Sequence, residues 1–337
     1  MSDVTGLQVS DILGLSEPLT KLIETVSTGM GMLYEPIHLK RRAKARAEEI
    51  KLISDAIIAN SNLPISYQHG NVGIDSTDVE NLMRRMQQRV LQEELTKQQN
   101  VDAIVSNAAE ELSDKHQVSK EAVDADWATR FINIAKEIRS DDMQHIWGKI
   151  LAGEIENPGS FSLRTLDCIR NISQAEAMAF QRMAPLLIQS GADVFILSDT
   201  ELMSQYGVNF EDALLLDECG LMTSRSLLTM NYSLIKGTQS HLYNQKTIAF
   251  IEGNTDKKQT VSVGVLLLTK PGRELYKIIA HESNNEYFYR VLEKVFKDNQ
   301  TKLSITTHHI ERIENGMINY SDTTERVFKQ TTGAVQK

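Results

Sequence analysis

Residues 147–166 read "WGKILAGEIENPGSFSLRTL". A strongly apolar helical pattern stops at Asn157-Pro158-Gly159, and another begins a few residues later. Proline and glycine in succession end a helical run, and a serine beside the restart can cap the next helix. How this break is read decides the fold, because Glu154, Glu156, Ser160 and Arg164 crowd around it. Glu154 and Glu156 could serve as paired carboxylates, but residues two apart on a helix point to different faces. Arg164 could hold a phosphate near the start of the next helix, where unpaired amides favour anions. The corner reading accounts for every residue type. Pro158-Gly159 turns the chain, Ser160 or Ser162 caps, and Arg164 bridges back to Glu154 or Glu156. Glu154, Pro158, Gly159 and Arg164 are therefore assigned to a structural corner.

Upstream, the pattern is helical. Trp127, Phe131, Ile134, Ala135 and Ile138 share one face of a helix starting near Lys120, and Ser140 is placed to cap a second. Asp141 and Asp142 then lie in its positively polarised first turn. A long helix is expected from Asp78 to about Leu112, with Val79, Leu82, Met83, Met86, Val90 and Leu91 as its apolar stripe. The polar stretch "QEELTKQQN" interrupts that stripe before Ile104, Val105 and Ala108 resume it. Residues 61–77 hold proline, two glycines and small polar residues, so they read as a loop or linker. Ser16-Glu17-Pro18 opens the first helix, which carries Leu19, Leu22, Ile23 and Val26. Pro36 restarts a helix-rich stretch whose early half carries Lys40, Arg41, Arg42, Lys44 and Arg46.

Downstream, Ser173 and Glu176 have capping-box spacing, and Pro185 should shorten that helix. Beyond about residue 190 the character changes. "DVFIL", "NYSLIK", "KTIAFIE" and "VSVGVLLLT" read as strands, and "GNTDKKQ" suits a hairpin between the last two. Asn315-Gly316 marks a second hairpin. The helix-like "NFEDALLLDECGLM" and "LTKPGRELYKII" complete a winged-helix-like pattern.

The chain has 337 residues, 41% apolar and 24% charged, enough to bury a core in two or more domains. A net charge of −9 argues against a globally basic nucleic-acid coat. Cys168 and Cys219 form no motif, which fits a reducing compartment. The opening "MSDVTGLQVSDILGL" lacks the basic and apolar regions of a secretory leader, so none is expected. No apolar run approaches the roughly 18 residues of a spanning helix.

Four stretches together resemble a bacterial family known only as a domain of unknown function. They are "GLSEPLTKLIETVSTGMGMLYEPIHLKRRAKARAE", "DWATRFINIAKEIRSDDMQHIWGKILAGEIENPGSFSLRTLDCI", "LLLDECGLM" and "LLLTKPGREL". The resemblance covers roughly residues 14–280, and the block around the Pro-Gly break is its most specific part. More remotely, the arrangement is similar to abortive-infection alpha proteins, which act in bacterial defence against phage. Neither resemblance supplies catalytic residues.

Other candidates are incomplete. Asp141 and His145 share a helix face, but zinc and similar ions need three or four ligands. His308 and His309 are adjacent on a strand and point to opposite faces. There is no phosphate-binding loop, dinucleotide fingerprint, nucleophile elbow or HExxH. No catalytic, cofactor-binding or metal residue is assigned. Lys40, Arg41, Arg42, Lys44 and Arg46 could meet anionic lipid headgroups, with the amphipathic 15–34 segment lying apolar face down, or nucleic-acid phosphates. They could equally be a solvated face paired with Glu48 and Glu49. The helix around 208–219 carries Glu211, Asp212, Asp217 and Glu218 and no cation, which opposes entry into a DNA groove.

The expectation is a mainly α protein with a C-terminal α+β part. Residues 1–60 form an amphipathic, basic helical segment, 61–77 a linker, 78–190 a helical domain, and 191–337 a winged-helix-like domain. The expected function is that of a non-enzymatic cytoplasmic interaction or scaffold protein that self-associates, placed in phage defence by the remote resemblance. A winged-helix DNA or RNA regulator and a membrane-surface effector at the inner membrane are the alternatives. A homo-oligomer, an unidentified protein partner, an anionic membrane surface and nucleic acid are the partners considered.

Overall fold

The computed structural model describes residues 16–34, 76–223, 228–314 and 317–330. The chain divides into two compact units, one ending at Leu163 and the other beginning at Arg164. Among the described residues the first is helical and the second carries the strands, so the chain is mainly α with a C-terminal α+β part. The division falls earlier than the boundary expected near residue 190. The helices between Leu163 and Met183 lie in the second unit, because their apolar faces are spent there.

The first unit contains α1 (Glu17–Met30), α2 (Ser76–Leu112), α3 (Ala125–Ala135) and α4 (Asp141–Glu156). Pro18 sits in the first turn of α1 as expected, although the Ser16 hydroxyl makes no cap bond. α1 buries Leu22, Ile23 and Val26 within the unit. Its close approach to α3 needs Gly29, where an added Cβ would lie 2.5 Å from the Ala128 carbonyl oxygen. The apolar face of α1 is thus packed inside the unit rather than free to lie on a membrane. Tyr34 is buried just beyond, and its hydroxyl donates to Asp102 of α2 at 2.8 Å.

Trp127 and Phe131 of α3 stack with centroids 5.0 Å apart, and Phe131 meets Trp147 of α4 at 5.2 Å. Gly148 lets α4 press against α2, since a Cβ there would come within 2.5 Å of Asn107 Cβ. Asp124 caps α3 through the Trp127 amide. Ser140 occupies the N-cap position of α4, but its hydroxyl makes no cap bond.

The second unit opens with α5 (Leu163–Ile169) and α6 (Gln174–Met183). Ser173 and Glu176 form the expected capping box, and Pro185 lies in a 3-10 turn that ends α6. Next come β1 (Ile188–Ser190), β2 (Asp193–Leu197), α7 (Thr200–Gln205), α8 (Phe210–Glu218), β3 (Met222–Thr223) and β4 (Thr229–Leu234). They are followed by β5 (Gln239–Tyr243), β6 (Thr247–Gly253), β7 (Gln259–Leu268), α9 (Lys270–Tyr276), α10 (Asn285–Asn299), β8 (Leu303–Glu314) and β9 (Met317–Phe328).

Along the sheet the strand order is β3-β7-β2-β1-β5-β6-β8-β9, with β4 also on β7. The hairpin expected between β6 and β7 does not form. Both edges of β6 are taken, by β5 and β8, while β7 pairs with β2, β3 and β4. The hairpin to β6 comes instead from β5, and its turn is held by Asn244, whose side chain accepts the amides of Lys246 and Thr247. β8 and β9 pair on either side of Asn315-Gly316, which itself lies outside the described residues. The 61–75 part of the expected linker and the basic run 40–46 also lie outside them, and residues 76 and 77 already belong to α2.

Candidate functional site

The corner after α4 is closed by its own side chains. Glu154 is almost wholly buried, and its carboxylate accepts the amide of Gly159 at 2.6 Å and that of Phe161 at 2.9 Å. The Trp127 indole donates to the Phe161 carbonyl at 2.7 Å. Gly153 leaves room for the Phe161 ring, which would stand 2.8 Å from an added Cβ. Helix ends leave carbonyls unpaired, and here they find donors. Lys21 donates to Ile155 at 2.8 Å, and the Ser119 amide to Glu156 at 3.0 Å. Glu156 also meets Lys115 at 3.2 Å. Gly159 has a φ of 85°, a left-handed turn conformation. Arg164 opens the second unit. Glu154 and Glu156 serve different partners, so the arrangement holds a chain reversal and brings no acid–base pair together.

α2 presents a different feature. Leu82, Met83, Met86 and Val90 lie 18 residues, or five helical turns, before Asn100, Val101, Ile104 and Ala108. The two sets therefore occupy the same face. The downstream set is buried against the unit, whereas Leu82, Met86 and Val90 are 51%, 46% and 52% exposed. One apolar ridge is half spent and half uncovered. The sequence made the ridge visible but could not say where its cover stops.

In the second unit a shallow cleft of about 370 Å³ is lined by Ser198, Asp199, Ser262, Lys294, Asp298 and neighbouring backbone. Asp199 caps α7 by accepting the Leu202 amide at 3.0 Å and meets Lys294 at 2.9 Å. That amide and Lys294 hold its carboxyl below the usual range. Lys294 is pushed up by the same contact with Asp199. No histidine or cysteine lines the cleft among the described residues, and Lys294 is held by Asp199, with the Asp298 carboxylate beside them. Asp199 could have been found from its place before a helical run. Lys294 could not, because 95 residues separate the two.

The remaining candidates are dispersed. Asp141 and His145 are exposed, and among the described residues no group of three or more metal-ligating side chains gathers. His308 packs against the Phe250 and Tyr320 rings at 5.7 and 5.5 Å, while His309 lies out towards Glu325. Burial pushes the Cys168 thiol up to about 12, so little of it is thiolate, the reactive form. α8 turns Phe210, Glu211, Leu214 and Glu218 outward. Among the described residues no helix is long and apolar enough to cross a membrane.

A family model described as "Protein of unknown function (DUF2806)" matches residues 84–292, more than half of the chain. No curated protein matches, and no solved structure does.

Proposed function

The chain belongs to this family of unknown function, DUF2806, and we propose that it is a non-enzymatic interaction protein that self-associates through the projecting half of α2. The observation that carries the reading is the uncovered ridge Leu82–Met86–Val90, continuous with a ridge that is buried five turns on. A helix gains most of its stability from packing an apolar face, and residues 81–99 pack little of theirs.

The second unit supports an interaction role as well. Its order α6, β2, α7, α8, β3 and β4, β7, with β7 between β2 and the β3/β4 edge, supports reading it as a winged-helix-like module. A helix reading DNA must approach phosphates, yet α8 offers Glu211 and Glu218 beside Phe210 and Leu214. We assign this face to protein contact. The proposed setting is cytoplasmic, and a part in bacterial phage defence rests on the remote resemblance to abortive-infection alpha proteins.

Sedimentation over a wide concentration range tests the reading. The expected mass rises to twice 37.9 kDa, and a Leu82→Ser, Met86→Ser, Val90→Ser variant stays at 37.9 kDa. A wild-type chain that keeps the single-chain mass throughout would refute self-association.

A further inference from the structure

We infer that the second unit binds the backbone of nucleic acid through lysines that its loops gather at one end of the sheet; this does not depend on the self-association proposed above. Three loops meet there. The turn 235–238, between β4 and β5, joins the loop 254–258, between β6 and β7, because the Lys236 amide donates to the Thr255 carbonyl at 2.9 Å. That loop joins the segment 300–302, between α10 and β8. The Asn254 amide donates to the Lys302 carbonyl at 2.9 Å, and the Asn254 side chain to the Leu303 carbonyl at 3.0 Å. The Glu252 carboxylate accepts the Gly237 amide at 2.8 Å and fixes the tip of the first turn. Lys236, Lys257, Lys258 and Lys302 stand exposed on these loops, and the loops themselves carry a single carboxylate, Asp256. Asp298, four residues before Lys302, lines the cleft beside Lys294.

Charge is paired elsewhere in the molecule. Lys115, Lys149, Lys246, Lys270 and Lys294 each meet a carboxylate at between 2.9 and 3.9 Å. Among the described residues, Lys236, Lys257, Lys258 and Lys302 meet none. In a chain of net charge −9, four such cations on touching loops make a local positive field.

The surroundings of these lysines select the anion. Gly237, Thr238, Asn254, Thr255, Gln300 and Thr301 are small or polar, with no aromatic or large aliphatic side chain among them. A membrane surface would draw on apolar groups beside the cations. Protein interfaces are enriched in arginine and aromatic residues and depleted in lysine. Lysine beside threonine is instead a phosphate-contacting set. The Asn254 and Gln300 amides, the groups able to address adenine, donate to the Leu303 and Lys297 carbonyls. Contact is therefore with the backbone and independent of base sequence. It asks no helix to enter a groove, so the acidity of α8 does not oppose it.

Fluorescence anisotropy of the full chain with two short duplexes of unrelated sequence, titrated at several salt concentrations, tests the inference. An Arg41/Arg42/Lys44 charge-reversed background removes the basic run from the result. Both duplexes should bind this protein equally. Adding Lys236→Ala, Lys257→Ala and Lys302→Ala should flatten the dependence of log K on log salt by about 0.9 for each lysine lost, roughly 2.7 in all. A control of equal charge, Lys120→Ala, Arg139→Ala and Lys277→Ala, should keep the slope. Circular dichroism checks that each variant folds. The inference is overturned if the background protein binds neither duplex at low salt, if the three loop substitutions leave the slope unchanged, or if the control flattens it as much. A strong preference for one duplex would show base reading and overturn it as well. So would a loop variant that keeps the duplexes but leaves phosphatidylglycerol vesicles in flotation, which would assign the face to lipid headgroups.

Discussion

The Phe161 amide reaches back seven residues to the buried Glu154 carboxylate at 2.9 Å. This contact and its companion to Gly159 turn a Pro-Gly break into a fixed corner. A carboxylate whose two oxygens each accept a backbone amide acts as a fastener of the turn. Glu154→Ala would strand one well-buried amide and one partly exposed amide, at a cost of about 2–3 kcal/mol. The melting transition of the first unit should fall by roughly 5–10 °C. Glu154→Gln, with one carbonyl oxygen left, should fall between the two. Pro158→Ala and Arg164→Ala should likewise lower the melting temperature before they change any specific activity. A variant that melts like the wild type but loses its biological effect would mark the corner as functional.

Two glycines separate space from backbone conformation. Gly29→Ala drives a methyl into the Ala128 carbonyl oxygen at 2.5 Å and should cost about 1–3 kcal/mol. Gly159→Ala meets nothing within 4 Å and should cost about 1 kcal/mol through its φ of 85°. Urea unfolding of both variants checks the order. Equal midpoints would show that α1 moves away from α3 at little cost.

Asp199 predicts a pH dependence. Its folded pKa is depressed, first by the Leu202 amide and then by Lys294. The charged form is therefore favoured in the folded protein. The resulting stability is present above the unfolded carboxylate value of about 3.9 and is lost as pH falls through the lower folded value. Asparagine caps helices nearly as well as aspartate, so Asp199→Asn isolates the charge. The difference from wild type should be under about 1 kcal/mol at pH 7 and should be smaller at about pH 3. Denaturation midpoints at both pH values measure it, and a gap that widens in acid would contradict the assigned cause.

The basic run makes a separable prediction. Each cation near an anionic bilayer is worth about 1 kcal/mol, and salt weakens the attraction. With the apolar face of α1 packed inward, lipid binding must come mainly from Lys40, Arg41, Arg42, Lys44 and Arg46, with help from the exposed Met32 and Leu33. A charge-reversed Arg41/Arg42/Lys44 variant should leave anionic vesicles in flotation. If it loses a fluorescent oligonucleotide instead, phosphate of nucleic acid is the ligand. If the wild type binds neither at low salt, the run binds no anionic surface.

Local signals were legible where local chemistry decides. The Ser173–Glu176 box, the Pro185 stop, the length of α2 and the strands of "DVFIL" and "KTIAFIE" all stand where spacing and turn residues put them. Caps and alternation act within a few residues, so the sequence carries them whole. Strand pairing does not follow from them. The loop "GNTDKKQ" could close a hairpin, but β5 and β8 outcompete β7 for the edges of β6.

The same division holds for the sites. Pro158-Gly159 announced a corner by itself, because a helix cannot continue through that pair. That Glu154 would be buried and satisfied by backbone amides depended on Trp127 and Phe161 packing around it. The ridge on α2 was written in an 18-residue echo, Leu82 to Asn100 and Val90 to Ala108. The sequence determined which face of the helix is apolar, since periodicity fixes direction. Only the tertiary structure decided that α4 covers the face from residue 100 onward and leaves the earlier turns bare, because burial depends on what else the chain can bring to that surface.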